Sequence, residues 1–98
     1  MTYASSLVLQ AVASGHPYGF DVMDVTGLPS GTVYPALRKL ERSGFVRSRW
    51  ESERAARKEQ RPVRRYYEVT GAGVEVLSEV TKRFRLISKA LVPEGSEL

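Results

Sequence analysis

The 98-residue chain has no cysteine. A disulfide framework and a thiolate metal site are therefore excluded, and the absence fits a reducing compartment. Histidine is nearly absent as well. His16 is the only one, beside Pro17, and is read as a surface turn residue rather than a catalytic base. No Ser/His/Asp set, carboxylate pair or phosphate-cradling glycine loop stands out, which argues against catalysis. The Cys or His clusters that metal sensing needs are missing. No cofactor and no metal is expected. No apolar run approaches the roughly 18 residues that span a membrane, and the first residues lack the positive stretch of a signal peptide. The expectation is a cytoplasmic protein with no membrane partner. There is no internal repeat and no low-complexity segment.

The residues that are present suit one small soluble domain, with 42% hydrophobic and 27% charged content. A core of that size is modest, so pairing with a second copy would stabilise it. Charge is unevenly placed. Eleven of the fifteen Lys and Arg lie between Arg38 and Arg65, with four of the eleven Asp and Glu, for a local net charge of +7; the remainder carries −3. One region is basic and the rest mildly acidic, the footprint of a face that binds a polyanion.

Residues 3–14, YASSLVLQAVAS, read as a first helix with Tyr3, Leu7, Val8, Ala11 and Val12 on one face and Gly15 as its stop. GHPYG is a turn, and YGFDVMDVTG gives a short second helix of poor periodicity. TGLPSG breaks it. The third helix, SGTVYPALRKLERSGFV, ends at Ser43-Gly44, where glycine supplies the cap. The period then becomes alternating. FVRSRWE and RRYYEVT read as two strands, joined by a polar segment, SERAARKEQRPV, taken as a long hairpin loop. TGAGVEVL opens a last helix that runs to about Leu91, after which VPEGSEL should fray. The order predicts a mainly α fold with a small β-hairpin (α+β): a winged helix-turn-helix over residues 1–71, a C-terminal dimerisation helix over 72–92 and a frayed tail over 93–98.

The third helix is informative on a wheel of ~100° per residue. Val33, Leu37 and Leu40, with Ala36 beside them, form the core stripe, while Tyr34, Pro35, Arg38, Lys39 and Arg42 occupy the opposite arc. Ser30 or Thr32 would cap the start. Pro35 loses at most about one backbone bond and stiffens the end aimed at a groove. In the first strand Ser48 and Trp50 share one side; Trp50 could stack on a ligand, but packing beside Tyr66 or the third helix as core is the first expectation. Arg54, Arg57, Lys58, Arg61, Arg64 and Arg65 decorate the wing, where arginines reach phosphates or a minor groove. In the last helix Leu77, Val80, Phe84, Ile87 and Leu91 step by 3, 4, 3 and 4. That is an a/d seam, and it predicts a homodimer in which this helix and Leu7 of the first helix meet a second copy.

Several of these stretches occur in the right order to resemble the PadR family of bacterial transcriptional regulators: HPYGFDVMDV, GTVYPALRKLERSG, the tryptophan after the first wing strand, and RPVRRYYEVTGAG. The likeness covers about Leu7 to Leu91. It implies a winged helix-turn-helix dimer that binds a double-stranded DNA operator, usually as a repressor. By position it assigns Tyr18 of the Y-G pair, and the Thr32 and Tyr34 hydroxyls, to the DNA face, and it ranks Arg61 and Arg64 ahead of Arg54 and Lys58. Ser30 stands where the family commonly has proline and adds a cap or a phosphate contact. The wing is longer than the family's short turn and lacks the glycine before Arg61-Pro62. The candidate DNA-contacting set is thus Tyr18, Ser30, Thr32, Tyr34, Pro35, Arg38, Lys39, Arg42, Arg61 and Arg64. In the family an apolar space between dimer helices can hold a small aromatic or drug-like effector. Tyr3, Leu7, Phe84 and Ile87 would line it here and are read first as dimer core. Against regulation stands a winged helix used only for protein contacts, with its basic face merely solvated.

Overall fold

Thr2 sets the first helix. Its Oγ1 accepts the Ser5 backbone N–H at 3.1 Å, satisfying one of the four orphan donors of a helix start. In the computed structural model, which describes residues 1–91, the elements run α1 (Tyr3–Ala13), α2 (Gly19–Thr26), α3 (Ser30–Arg42), β1 (Val46–Trp50), α4 (Glu53–Lys58), β2 (Arg65–Val69) and α5 (Gly71–Leu91). The helices α1, α2, α3 and α5 and the two strands fall where the sequence puts them, whereas α4 lies in the segment expected to be a loop. The expected fraying of residues 92–98 lies outside the described residues.

The core is one cluster. Val8, Leu9, Ala11 and Val12 of α1, Val22 of α2, and Val33, Ala36, Leu37 and Leu40 of α3 pack together, and Val46 and Tyr67 of the hairpin close one side. Leu9 is fully buried and Ser5 is buried, whereas Tyr3 is exposed and Leu7 half-buried. The inner face of α1 is therefore turned from the expected one toward Ser5 and Leu9, because both α2 and α3 pack against it. Truncation of Leu9 or Leu37 to Ala would cost about 2–5 kcal/mol, as for other fully buried leucines.

The start of α3 also differs from expectation. Its N-cap is Pro29, with no side-chain cap, and Thr32 and Val33 both donate to the Pro29 carbonyl at 2.9 and 3.0 Å. Ser30 is consequently the first helical residue and not the cap. Pro35 removes the donor for the Gly31 carbonyl, and both residues are exposed, so water can satisfy that carbonyl. The helix ends as expected. Gly44 sits at φ +80°, its N–H donates to Glu41 O at 3.0 Å, and Phe45 N–H donates to Leu40 O at 2.9 Å, the pair of bonds that closes a Schellman turn.

β1 and β2 form an antiparallel ladder with Val46 opposite Val69, Ser48 opposite Tyr67 and Trp50 opposite Arg65. Tyr67 N–H donates to Pro17 O at 2.8 Å, which ties the hairpin to the turn before α2. The connecting segment is not a bare loop. Ser52 accepts Ala55 N–H at 3.1 Å, Glu53 lies in the first turn of α4 and Arg57 and Lys58 in its last, and Ala56 is buried. Capping and charge placement that complements the helix dipole give this six-residue helix its local support. At the C-terminal end Thr70 caps α5 through Gly73 N–H at 3.1 Å and donates to Gly44 O at 2.6 Å. Gly73 lies against the Phe45 carbonyl and Val69 with no room for a Cβ.

Candidate nucleic-acid interface

Burial of Val33, Ala36, Leu37 and Leu40 leaves α3 one outward arc. Ser30, Tyr34, Pro35, Arg38, Lys39 and Arg42 are all exposed on it, and Thr32 is half-buried. Among the described residues no ion pair engages Arg38, Lys39, Arg42 or Arg64. The acids nearby are committed elsewhere. Glu41 accepts from Arg65 at 3.1 Å, and Glu68 faces Arg49 at 3.6 Å and Arg47 at 3.9 Å. The arc therefore presents uncompensated positive charge.

Tyr34 is held in place by α2. An added Cβ at Gly19 would stand 2.7 Å from both Cζ and Oη of its ring, so the close approach requires glycine. This gives a physical reason for the Tyr18-Gly19 pair. Tyr18, the N-cap residue of α2, stacks on Phe20 with ring centroids 5.4 Å apart, and the Arg64 guanidinium lies 4.5 Å from the Phe20 centroid and 5.8 Å from that of Tyr18. These residues, with Tyr34, Arg38, Arg65 and Tyr67, enclose a cleft of about 320 Å³ between α2, α3 and β2. Burial pushes the Tyr67 hydroxyl above its ordinary range. The structure thus brings Tyr18, Tyr34, Arg38 and Arg64 to one place. Phe20 and Tyr67 were missed by sequence reasoning; only the alternation in RRYYEVT hinted that one of Tyr66 and Tyr67 would turn inward.

Arg61 is placed differently from Arg64. Both of its terminal nitrogens donate to the Glu51 carboxylate, Nη2 to Oε2 at 3.0 Å, and the two side chains are only 20% and 8% exposed. Glu51 Oε1 also accepts Arg64 N–H at 2.8 Å, and Oε2 accepts from Tyr18 Oη at 3.4 Å. Hydrogen bonds, first that of Arg61, hold the Glu51 carboxyl at about 2, well below its ordinary 4.5. Arg65 bridges α3 and β1, donating to Glu41 and, at 2.6 Å, to Ser48 Oγ. Trp50 is not core: it is 65% exposed at the last position of β1, beyond the cover of the helices, with the Arg65 guanidinium 5.9 Å from its ring.

The seam of α5 divides along its length. Val76 and Leu77 pack on the core and Val80 is half-buried, but Phe84, Leu86 and Ile87 are 58%, 69% and 58% exposed. Leu86, outside the a/d pattern, and Val74 were not expected on an open face. Tyr3 stacks on Phe84 with centroids 6.5 Å apart. The far half of α5 projects, and the chain measures 56 × 25 × 21 Å. Leu91 ends the helix; its side chain lies outside the described set. Among the described residues no cluster of His, Cys, Asp or Glu could hold a metal, and no helix is long and apolar enough to cross a membrane.

Comparison with curated protein sequences finds no match. Solved structures share the fold. The Streptococcus mutans protein smu.1704 superposes with a TM-score of 0.73 at 26% identity, over 87% of this chain and 78% of that one. A PadR family transcription regulator from Clostridium difficile gives 0.80 at 23%, over 92% and 95%. A PadR-like transcriptional regulator from Bacillus cereus gives 0.73 at 19%, over 89% and 85%. The model of the PadR-like transcriptional regulator family matches residues 8–79, from the core of α1 through the outward arc of α3 and the wing into α5. The chain belongs to the PadR-like family of DNA-binding transcriptional regulators.

Proposed function

We propose that the protein is a homodimeric, sequence-specific repressor that reads a pseudo-palindromic operator with α3 and steadies itself on phosphates with the wing. One observation carries this: an uncompensated basic arc on α3 continues without an intervening free acid into Arg64 at the wing base, across the Tyr18–Phe20–Tyr34 cleft. Arg38, Lys39 and Arg42 supply base-edge or phosphate contacts, and Ser30, Thr32 and Tyr34 supply hydroxyls to the backbone. Pro35 keeps this end of the helix stiff. A winged helix used for protein contacts alone would not need cations and hydroxyls on the same open arc.

The exposed Phe84, Leu86 and Ile87 with Tyr3 support pairing through the far half of α5, and Leu7, Leu77 and Val80 form the junction with each subunit's own core. A two-fold axis there gives two recognition helices and half-sites about 34 Å apart. Tyr3, Leu7, Phe84 and Ile87 are assigned to dimer core; release of DNA by a small apolar or aromatic effector would require it to enter between them.

Selection from a randomised duplex pool at ~0.15 M salt tests the proposal. Enrichment of an inverted repeat is expected, with a log–log salt slope of about −0.9 per neutralised phosphate. Salt-sensitive retention without enrichment would refute sequence specificity, and no retention would favour the protein-contact alternative.

A further inference from the structure

An acid on a DNA-binding face ordinarily repels the ligand. Glu51 is such an acid, and four donors surround it: Arg61 Nη1 and Nη2, Arg64 N–H at 2.8 Å and Tyr18 Oη at 3.4 Å. A carboxylate offers about four lone-pair sites, so its accepting capacity is filled. Its own N–H donates to the Arg64 carbonyl at 2.9 Å. Residue 64 is therefore gripped on both backbone groups by residue 51, one register step beyond the last ladder pair, Trp50 opposite Arg65. Arg61 braces the same carboxylate from the far end of the wing segment, and Tyr18 links it to the start of α2. The other wing ion pairs are more open to water, with side chains 45–82% exposed for Arg47, Arg49, Arg57 and their partners, and 44% and 33% for Arg65 and Glu41. Among the described residues the Glu51–Arg61 pair, at 8% and 20%, is the most sheltered and the one fit to act as a fastening.

We propose that Glu51 is a positioning residue for DNA recognition: it fixes the wing base so that the Arg64 side chain lies across Phe20 toward the arc of α3, with Arg61 serving as its brace and not as a DNA contact. This assignment rests on DNA binding by the α3–wing face. It divides the three arginines of RPVRR by task. Arg61 is neutralised and holds Glu51, Arg65 is spent on Glu41 and Ser48, and Arg64 alone is free to meet a phosphate. It also predicts a result opposite to simple electrostatics, in which removing a negative charge strengthens binding to a polyanion.

The test compares wild type, E51Q, R61A, the E51Q/R61A double variant, Y18F and, as a control on the parent assignment, R38A. The probes are the duplex enriched by the wild-type chain from a random pool and a mixed-sequence duplex of equal length. Circular dichroism melting and acrylamide quenching of Trp50, the sole tryptophan, report the fold and the wing. The expected result is a roughly tenfold loss by E51Q on the enriched duplex, with the melting transition still above the binding temperature and a salt slope smaller by about 0.9, one phosphate contact. The loss on the mixed duplex should be of similar size, because a phosphate contact carries no sequence information, and the double variant should be no worse than E51Q. Y18F, which removes one donor and leaves the ring stack, should lose about twofold. Equal or tighter binding of the enriched duplex by E51Q overturns the proposal. So does a loss that comes with a lowered melting temperature and an unchanged salt slope, which would make Glu51 a folding residue only, and so do additive losses for E51Q and R61A. If the wild-type chain enriches nothing and R38A changes nothing, the α3–wing assignment itself falls and this proposal with it.

Discussion

Replacing Gly19 with Ala should separate function from folding. The new Cβ would stand 2.7 Å from Cζ and Oη of Tyr34, against an optimal carbon–carbon separation of ~3.5–4.0 Å. The ring must retreat by about 1 Å, and it can, because Tyr34 is a partly exposed side chain on the outward arc of α3. Ala at this first residue of α2 is also a better helix former than Gly by up to about 1 kcal/mol. Clash and propensity nearly offset, so the melting temperature should move by no more than the ~4–8 °C that 1 kcal/mol is worth in a domain of this size. The hydroxyl, however, leaves its position. A hydrogen bond to a charged phosphate is worth about 1.5–3 kcal/mol, and 1.4 kcal/mol is tenfold in affinity. Fluorescence anisotropy on the enriched duplex should therefore show G19A binding at least about tenfold more weakly. Y34F should show a similar loss, and the G19A/Y34F double variant no more than either alone, since both remove the same contact. Wild-type affinity in G19A, or losses that add, would refute the claim that Gly19 acts by seating Tyr34.

The first turn of α5 offers a paired test of packing. G73A drives a Cβ into the Phe45 carbonyl, which already accepts Thr70 N–H at 3.0 Å, whereas the equivalent atom at Gly71 meets nothing within 4 Å. Thermal unfolding should show G73A destabilised by about 1–2 kcal/mol, overpacking less the gain in propensity, and G71A neutral or slightly stabilised; equal effects would refute the contact. Glu51 supplies a pH test. Its carboxyl is lowered to about 2 in the fold from an ordinary 4.5, so the unfolded chain binds more protons between those values. The stability it contributes is complete above about pH 4.5 and is lost as pH falls toward 2. Urea unfolding of wild type and E51Q should differ by a constant amount above pH 5 and converge below it; a difference that grows on acidification would contradict the sign. F84D with I87D places two charges on the open face of α5 and should shift sedimentation to the monomer mass while circular dichroism keeps its helical signal. A persistent dimer would move the interface elsewhere.

Where the sequence was legible, local and long-range signals agreed. The four-residue stripe Val33, Ala36, Leu37, Leu40 and the Ser43-Gly44 stop specify α3 without reference to the rest of the chain, because burial period and turn chemistry are both properties of the local backbone. The same is true of the alternation in the hairpin. The helix α4 was missed because it carries only one buried residue, Ala56, and so has no apolar period. Its signs were Ser52 as cap and a run of good helix formers, which a polar loop also shows. Ser30 was misplaced as a cap because the helix starts one residue earlier, with the Pro29 carbonyl accepting the Thr32 and Val33 N–H groups and no side chain capping it.

The sequence by itself determined every element but α4, their order, the basic arc of α3 and the family, since these depend on periodicity, turn residues and the count of charges. Only the tertiary structure decided what each arginine pairs with. Arg61 and Arg64 are three residues apart in one basic run, but Glu51 lies thirteen residues from Arg64 along the chain and beside it across the ladder. Pairing in space, not charge in sequence, leaves one guanidinium committed to a carboxylate and the other free. Tyr18, Gly19 and Tyr34 likewise meet because α2 and α3 pack on a shared core, a proximity that no spacing along the chain encodes.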